Sequence, residues 1–547
     1  MTAADRSAAD DPFPPQRRSR RILPITIGAV IVAVIAYLVA TRGGGGGPRP
    51  PAAAPGPAAV PGPAAVPGPA AAPVPTTAPA TPPARVCGTG SLLTGPAAPP
   101  AGAVPVEPGQ NLYDATQAHP AGTTFWLAPG THTLGAGPYS QVIPKDGNTY
   151  LGGPGAILDG NGVNSYAFTQ KAARVTVRYL TIRNFIAPGD EGVVNHDMGA
   201  GWVVEHNTIE KNGGAAVLVG DDNRLAWNCL ADNSQYGFQV FGANVTIDHN
   251  EVAGNNTYDY EKKRPGCGCS GGAKLWDAGP GTVTANYVHD NKGIGLWADT
   301  NDIGFLFEGN YISDNDGHGL LYETSYNARI VDNTFRRNAL VEGKEYQSRS
   351  DPFPIGAIYI SESGGDPRVN GGRFATMEIS GNSFVDNWSG VVLWENADRF
   401  CASPANTSTG FCTLVNPAAT IATCGDPAAG GKVDTEPFRS DCRWKTQNVS
   451  VSNNDFRMDK RAIGCTTNLC GTQGIFSNSG TVPAWSPYKG RVIQNAITFN
   501  QHNVFSANRY VGEWHFAGRE ATGDPMTLSE WQAAPYNQDA GSTQLSG

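Results

Sequence analysis

Seven short segments share one pattern: Asn, any residue, an apolar residue, two free positions, then Asn again. They begin at Asn207, Asn228, Asn250, Asn286, Asn310, Asn333 and Asn382, so the first Asn recurs after 21, 22, 36, 24, 23 and 49 residues. A period near 22 with two insertions is the signature of a solenoid, in which each repeat buries its apolar face only by stacking on its neighbours. The residue two places after the first Asn is always apolar (Ile209, Leu230, Val252, Val288, Ile312, Phe335, Phe384) and is expected to point inward. Asn is expected to occupy left-handed turns between short strands and to form hydrogen-bonded ladders from coil to coil. Gly214, Gly237, Gly295, Gly319 and Gly390 follow the second Asn, where the chain is expected to turn into the next strand. The fold class is therefore all-β, a right-handed parallel β-helix of roughly ten coils.

A 547-residue chain exceeds one ordinary globular core, a limit a solenoid does not meet. Only 16% of residues are charged and 68 are Gly, which suits many short strands and turns. A net charge of −9 without a sustained basic stripe beyond the N-terminus argues against a nucleic-acid partner.

The N-terminus reads differently. Arg17, Arg18, Arg20 and Arg21 close a basic tail (1–21), and Ile22 to Ala40 follows without a charge, long enough for one transmembrane helix. The arginines predict a cytoplasmic N-terminus and an extracellular remainder, a single-pass protein of the cell membrane. A cleaved signal peptide is the rival reading, although the run exceeds a usual signal core and no clean cleavage site follows it. Residues 41–86 are Gly-, Pro- and Ala-rich and read as an extended linker, with the β-helix domain occupying 87–547. All ten Cys lie in that domain, an even number consistent with disulfides. Cys401 with Cys412 and Cys465 with Cys470 are close enough to pair locally; zinc is the alternative for Cys267 and Cys269. Asn111 to His119 is expected to be a short capping helix, Asp398 to Asp441 a disulfide-tied loop, and the tail containing Trp531 a cover for the last coil.

Candidate chemistry lies along one stripe. A carboxylate stands eight residues after the second Asn of three repeats, at Asp299, Glu323 and Glu395, and Glu362 joins them if the insertion after Asn338 loops out. Trp297, Tyr322 and Trp394 lie beside them, and an earlier coil offers Lys274, Trp276 and Asp277. Flat rings for sugar C–H faces beside oxygens for hydroxyls are what a polysaccharide groove needs, so Trp276, Trp297, Tyr322, Trp394 and Lys274 are the expected substrate contacts. Neighbouring coils lie about 4.7–4.9 Å apart, near the ~5–5.5 Å between the carboxylates of a retaining glycosidase. A lyase would instead need a base, for which Lys274, His289 and His318 are the candidates near the stripe. Stacked carboxylates could equally hold calcium or be solvated strand ends. The triplet Asn195, His196, Asp197, after Asp190 and Glu191, is a second polar cluster, and its His reads as a structural hydrogen-bonder.

Several stretches carry a resemblance: TFWLAPGTH, IPKDGNTYLGGPGAILDG, EGVVNHD, PGCGCSGG, GLWAD, DPFPIGAIYISESG and LWENADR. Together they resemble secreted bacterial right-handed parallel β-helix proteins of the pectate-lyase-like superfamily, from about Cys87 to the C-terminus. The resemblance implies an extracellular protein facing polysaccharide. No catalytic signature of a characterised pectate lyase accompanies it. Glycoside hydrolase, polysaccharide lyase, non-catalytic glycan-binding module and adhesin all remain compatible with the sequence.

Overall fold

The computed structural model describes residues 81–546, apart from 370, 372, 407–411, 413, 414, 479 and 522–524. The expected membrane span and most of the linker lie outside the described residues; among the described ones, no helix is long and apolar enough to cross a membrane.

Three parallel sheets run the length of the domain, two of thirteen strands and one of ten. One coil shows the plan: Val203–Glu205 lies in the first sheet, Thr208–Glu210 in the second and Ala215–Val219 in the third. The next coil repeats it one layer on, pairing Ile209 with Leu230 and Val217 with Phe238. The solenoid is longer than the ten coils expected. Its first and last turns lack the double Asn and are legible only as weak echoes.

The predicted inward column is buried in every coil, from Ile209 through Phe384, and continues into Phe456 and Tyr510. Phe335, Phe384, Phe456 and Tyr510 stack face to face at 5.1, 4.4 and 5.1 Å. A second column (Val204, Leu225, Ile247, Val283, Phe307, Ile330) lines the first sheet from inside. Each such side chain contributes about 1.5–3 kcal/mol, so stability is spread along the axis rather than held at one centre.

Two Asn ladders hold the corners. In the first, each side-chain Nδ2 donates to the Oδ1 of the Asn one coil on, from Asn207 through Asn228, Asn250, Asn286, Asn310, Asn333 and Asn382 to Asn454 and Asn508, at 2.9–3.1 Å. The second runs from Asn212 through Asn233, Asn255, Asn291, Asn315 and Asn338 to Asn387. The ladder Asn residues do not take the left-handed conformation expected of them. The left-handed residue is the one before it (His206, Trp227 and His249 at φ 59°, 56° and 55°, with Tyr179 at 58° before Leu180 one coil earlier), while no ladder Asn has positive φ. Asn is there for its amide, which accepts from one coil's backbone N–H and donates to another's carbonyl. The rings of those left-handed residues lie outside and stack on one another, which places Trp227 as packing. Of the five glycines only Gly214 takes the left-handed turn conformation (φ 55°); at the others the need is for space. A Cβ on Gly295 would sit 2.6 Å from the Gly319 carbonyl oxygen.

A third ladder closes the corner after the third sheet. Ala278 N–H donates to Asp302 Oδ1 (3.0 Å), Asp302 N–H to Ser325 Oγ (3.1 Å), and Ser325 N–H to Ser363 Oγ (2.9 Å). Asp302 is the one acid in this series. Complete burial raises its carboxyl well above the usual range, with Asp299 and Asp277 adding to the effect. An unfolded Asp releases its proton near pH ~3.9, so above that pH the folded state binds more protons and stability falls as pH rises through the folded value. Asp302→Asn removes this dependence while keeping the acceptor. Its melting temperature is expected to match or exceed the parent's at neutral and alkaline pH, with no advantage below pH ~4. Parallel pH profiles for the two proteins would refute the assignment.

The expected caps and bridges are present. Leu112–Ala118 is helical, with the Asn111 side chain accepting from Tyr113 N–H. Trp531 packs on Phe516 over the last coil. Cys401–Cys412 and Cys465–Cys470 pair, as do Cys87–Cys229, Cys424–Cys442 and Cys267–Cys269; the last takes both thiols of the zinc alternative.

Candidate active site on the third sheet

The insertions decide which face works. Residues 256–272 and the stretch bearing the helix Leu340–Ser348 both enter the third sheet from the second, and 362–376, 396–448 and 478–503 all leave it toward the first. Loops thus wall the third sheet on both sides and make its outer face the floor of a trough.

Strand register places two rows of side chains on that floor. Trp276, Asp299, Glu323, Ser361 and Trp394 form one row on successive coils. Gln239, Lys274, Trp297, Leu321 and Tyr359 form the other. Asp299 and Glu323 are therefore direct neighbours, as their shared offset predicted.

Their surroundings form one connected network. Lys274 Nζ pairs with Asp299 Oδ2 at 2.7 Å, lies 3.9 Å from the Trp297 ring centroid, and donates to the Gly268 carbonyl. Thr300 Oγ1 donates to Asp299 Oδ1 (2.8 Å), and Trp297 Nε1 donates to Glu323 Oε2 (3.2 Å). Arg399 Nη1 bridges Glu323 Oε1 and Glu362 Oε2, the latter at 2.9 Å. Burial lifts the Glu323 carboxyl above the usual range; Asp299 and Glu362 add to the lift and Arg399 opposes it. Arg399 lies outside the stripe's spacing rule because it follows the strand rather than sharing its offset. Its signal in the sequence is the charged end of LWENADR.

Four stripe residues depart from expectation. The strand Val391–Glu395 begins one residue sooner after its ladder Asn than Leu296–Asp299 and Leu320–Glu323 do, because Val391 aligns with Leu320 through Ile358. The shared offset therefore carries Glu395 one place past Glu323's row. It is buried, paired with Arg443 and hydrogen-bonded by Gln501 Nε2 at 2.7 Å. Glu362 is the left-handed residue after its strand and is wholly buried, taking bonds from Ser361, Asn396 and Arg399. Tyr322 points into the solenoid, in register with Ala298 and Ile360, and its hydroxyl donates to the carbonyls of Asp302 and Tyr326. Trp394 lies on the floor but is packed edge-on against Phe353 and Phe476.

The basic candidates divide by position. His289 belongs to the second sheet, where it meets Glu251 and Asp290. His318 is fully buried, bonds the Gly356 carbonyl through Nδ1, and burial pushes its pKa down to about 4. Lys274 alone lies in the trough. His196 stacks on Tyr166, whose hydroxyl donates to Glu191. Among the described residues no group of three or more His, Cys, Asp and Glu is arranged to hold a metal ion, so the calcium expected as an alternative has no cluster there.

Residues 192–374 match the family described as the right handed beta helix region. The match covers about a third of the chain and agrees with the parallel β-helix of the described residues. The matched span includes Lys274, Trp276, Trp297, Asp299, Glu323 and Glu362. Among solved structures, the β-helix is similar to the catalytic unit of a GH87 alpha-1,3-glucanase from Streptomyces thermodiastaticus strain HF3-3, at 14% identity and a TM-score of 0.46, covering 79% of this chain and 72% of that one. It is similar to the A-module of the mannuronan C-5 epimerase AlgE6 from Azotobacter vinelandii, at 11% identity and a TM-score of 0.39, covering 79% and 93%. It is also similar to the pectate lyase Pel9A, at 14% identity and a TM-score of 0.32, covering 53% and 76%. No curated protein matches the sequence.

Proposed function

We propose that this β-helix is a polysaccharide-active enzyme, a glycoside hydrolase working in the trough over the third sheet with Glu323 as proton donor and Asp299 as partner carboxylate. The observation that carries the reading is the register of Asp299 and Glu323 on neighbouring coils of the walled sheet. A coil spacing of about 4.8 Å matches the ~5–5.5 Å of a retaining pair.

The roles follow from the environments. Glu323, whose carboxyl is pushed up by burial, serves as the acid that gives a proton to the glycosidic oxygen as its bond to the anomeric carbon breaks. Asp299, with Lys274 as counter-charge, attacks that carbon. Water, deprotonated by Glu323, then displaces Asp299, so each cycle consumes one water and restores both carboxyl groups. Trp276, partly exposed at the open side of Asp299, offers a face for a sugar ring.

A lyase is the second reading, and it needs an unprotonated base near the substrate. Lys274 is committed to Asp299 and the Gly268 carbonyl, while both histidines are sequestered. The discriminating experiment incubates the protein with a panel of neutral and uronate-containing polysaccharides and analyses products by mass spectrometry. Saturated products that carry the mass of one added water are expected. An unsaturated sugar absorbing in the ultraviolet would reassign the protein as a lyase, and binding without turnover would make it a glycan-binding module.

A further inference from the structure

Resting on that hydrolase reading, we infer that the trough admits the polysaccharide from one end only, so that the enzyme trims short products from a chain terminus instead of cutting within the chain.

Exposure drops along the floor at Asp299, which is 7% exposed with Glu323 at 6%. Before Asp299, Phe241 and Trp276 are partly exposed and Asp277 is exposed. Beyond Glu323 the same row reads Ser361 at 4% exposure, Trp394 at 6% and Phe476 at 0%. The two banks meet over this stretch. From the bank that enters the sheet, Phe353 lies edge-on against Tyr359, Trp394 and Phe476 at 5.6, 5.3 and 5.8 Å. From the bank that leaves it, Arg399 reaches down onto Glu323 and Glu362. That second bank is tied by Cys401–Cys412 and Cys424–Cys442 and pinned again where Arg443 pairs with Glu395. A sugar chain lying along the row would run into packed aromatics at Trp394, two coils past Glu323.

The open side is equipped to receive one. Gln239 is next to Lys274 in register, is 5% exposed, and its Oε1 has no hydrogen-bond partner among the described residues. A buried acceptor of this kind awaits a donor, and a sugar hydroxyl supplies one. With Trp276 and Phe241 on the adjoining row, the open side pairs ring faces with a polar anchor, and the closed side stops the chain at the carboxylates.

The test uses the full chain and whichever polysaccharide the product panel shows to be cleaved. Products are sized through a time course, alongside the same polymer with both termini chemically blocked. One short product from the earliest time points is expected, with slow loss of viscosity and cleavage of the blocked polymer at least ~10-fold slower. A ladder of intermediate sizes with rapid loss of viscosity would overturn the inference and leave the hydrolase reading intact. No cleavage of any polymer would overturn both. Phe353→Ala, outside the catalytic network, is expected to open the far end and shift products toward a ladder. An unchanged single product from a folded variant, judged by its melting curve, would count against the end-stop.

Discussion

Replacing Asn310 with Ala is expected to cost the domain about 2–4 kcal/mol. Asn310 Oδ1 accepts from both the backbone N–H and the Nδ2 of Asn286 (3.0 Å each), and its own Nδ2 donates to the Val283 carbonyl (2.8 Å) and to Asn333 Oδ1 (2.9 Å). Ala strips one hydrogen bond from each of four buried groups on the two neighbouring coils. Asn286 Nδ2 keeps the Ile247 carbonyl and Asn333 Oδ1 keeps the backbone N–H of residue 310, so the Asn286 N–H and the Val283 carbonyl lose most, at roughly 1–3 kcal/mol each. The space is enclosed, since Asn286, Asn310 and Asn333 are each 1% exposed. Asn310→Asp should do no better, because it keeps the acceptor, loses both donors and buries a charge. Chemical denaturation with hydrogen exchange at Asn286 and Val283 is the appropriate measurement, since a solenoid can open locally before it unfolds as a whole. A loss below about 1 kcal/mol would mean the ladder is incidental to stability.

Glu323→Gln is expected to lower turnover by about 10²–10⁴-fold while leaving substrate binding nearly intact. Gln keeps the shape and its one carbonyl oxygen can still accept from Arg399, at the loss of the Trp297 bond, but it has no acidic proton to transfer. The defect should shrink on substrates with good leaving groups such as nitrophenols, which need no protonation, and that pattern separates a lost acid from a disturbed fold. The Arg399–Glu362 bond remains, so the melting temperature should move little. Turnover within about threefold of the parent would remove Glu323 from the mechanism.

How much of this was readable beforehand depends on how far each feature reaches along the chain. The double Asn and its inward apolar partner were legible because each ladder step joins identical positions one coil apart, and every repeat must restate them. The pairing of Asp299 with Glu323 was legible for the same reason: nothing is inserted between their ladder Asn residues and their strands that would alter the count. Glu395 failed the same rule, because its strand starts one residue early after Asn387. No spacing rule sees such a slip, and only the hydrogen-bonded register does. Tyr322 failed because alternation within a strand decides which face a ring takes, and a shared neighbourhood with a carboxylate does not.

The repeat by itself determined a solenoid, its corners, its interior and one correctly aligned pair of carboxylates. Only the tertiary structure decided that the third sheet is the walled one, that Arg399 reaches Glu323 across 76 residues, and that Phe353 and the disulfide-tied loop close the trough beyond it. The physical reason is that ladder bonds are made between like positions and so must be repeated in every coil. The contacts that shape the trough are made once, between loops that share no pattern with the coils they cover.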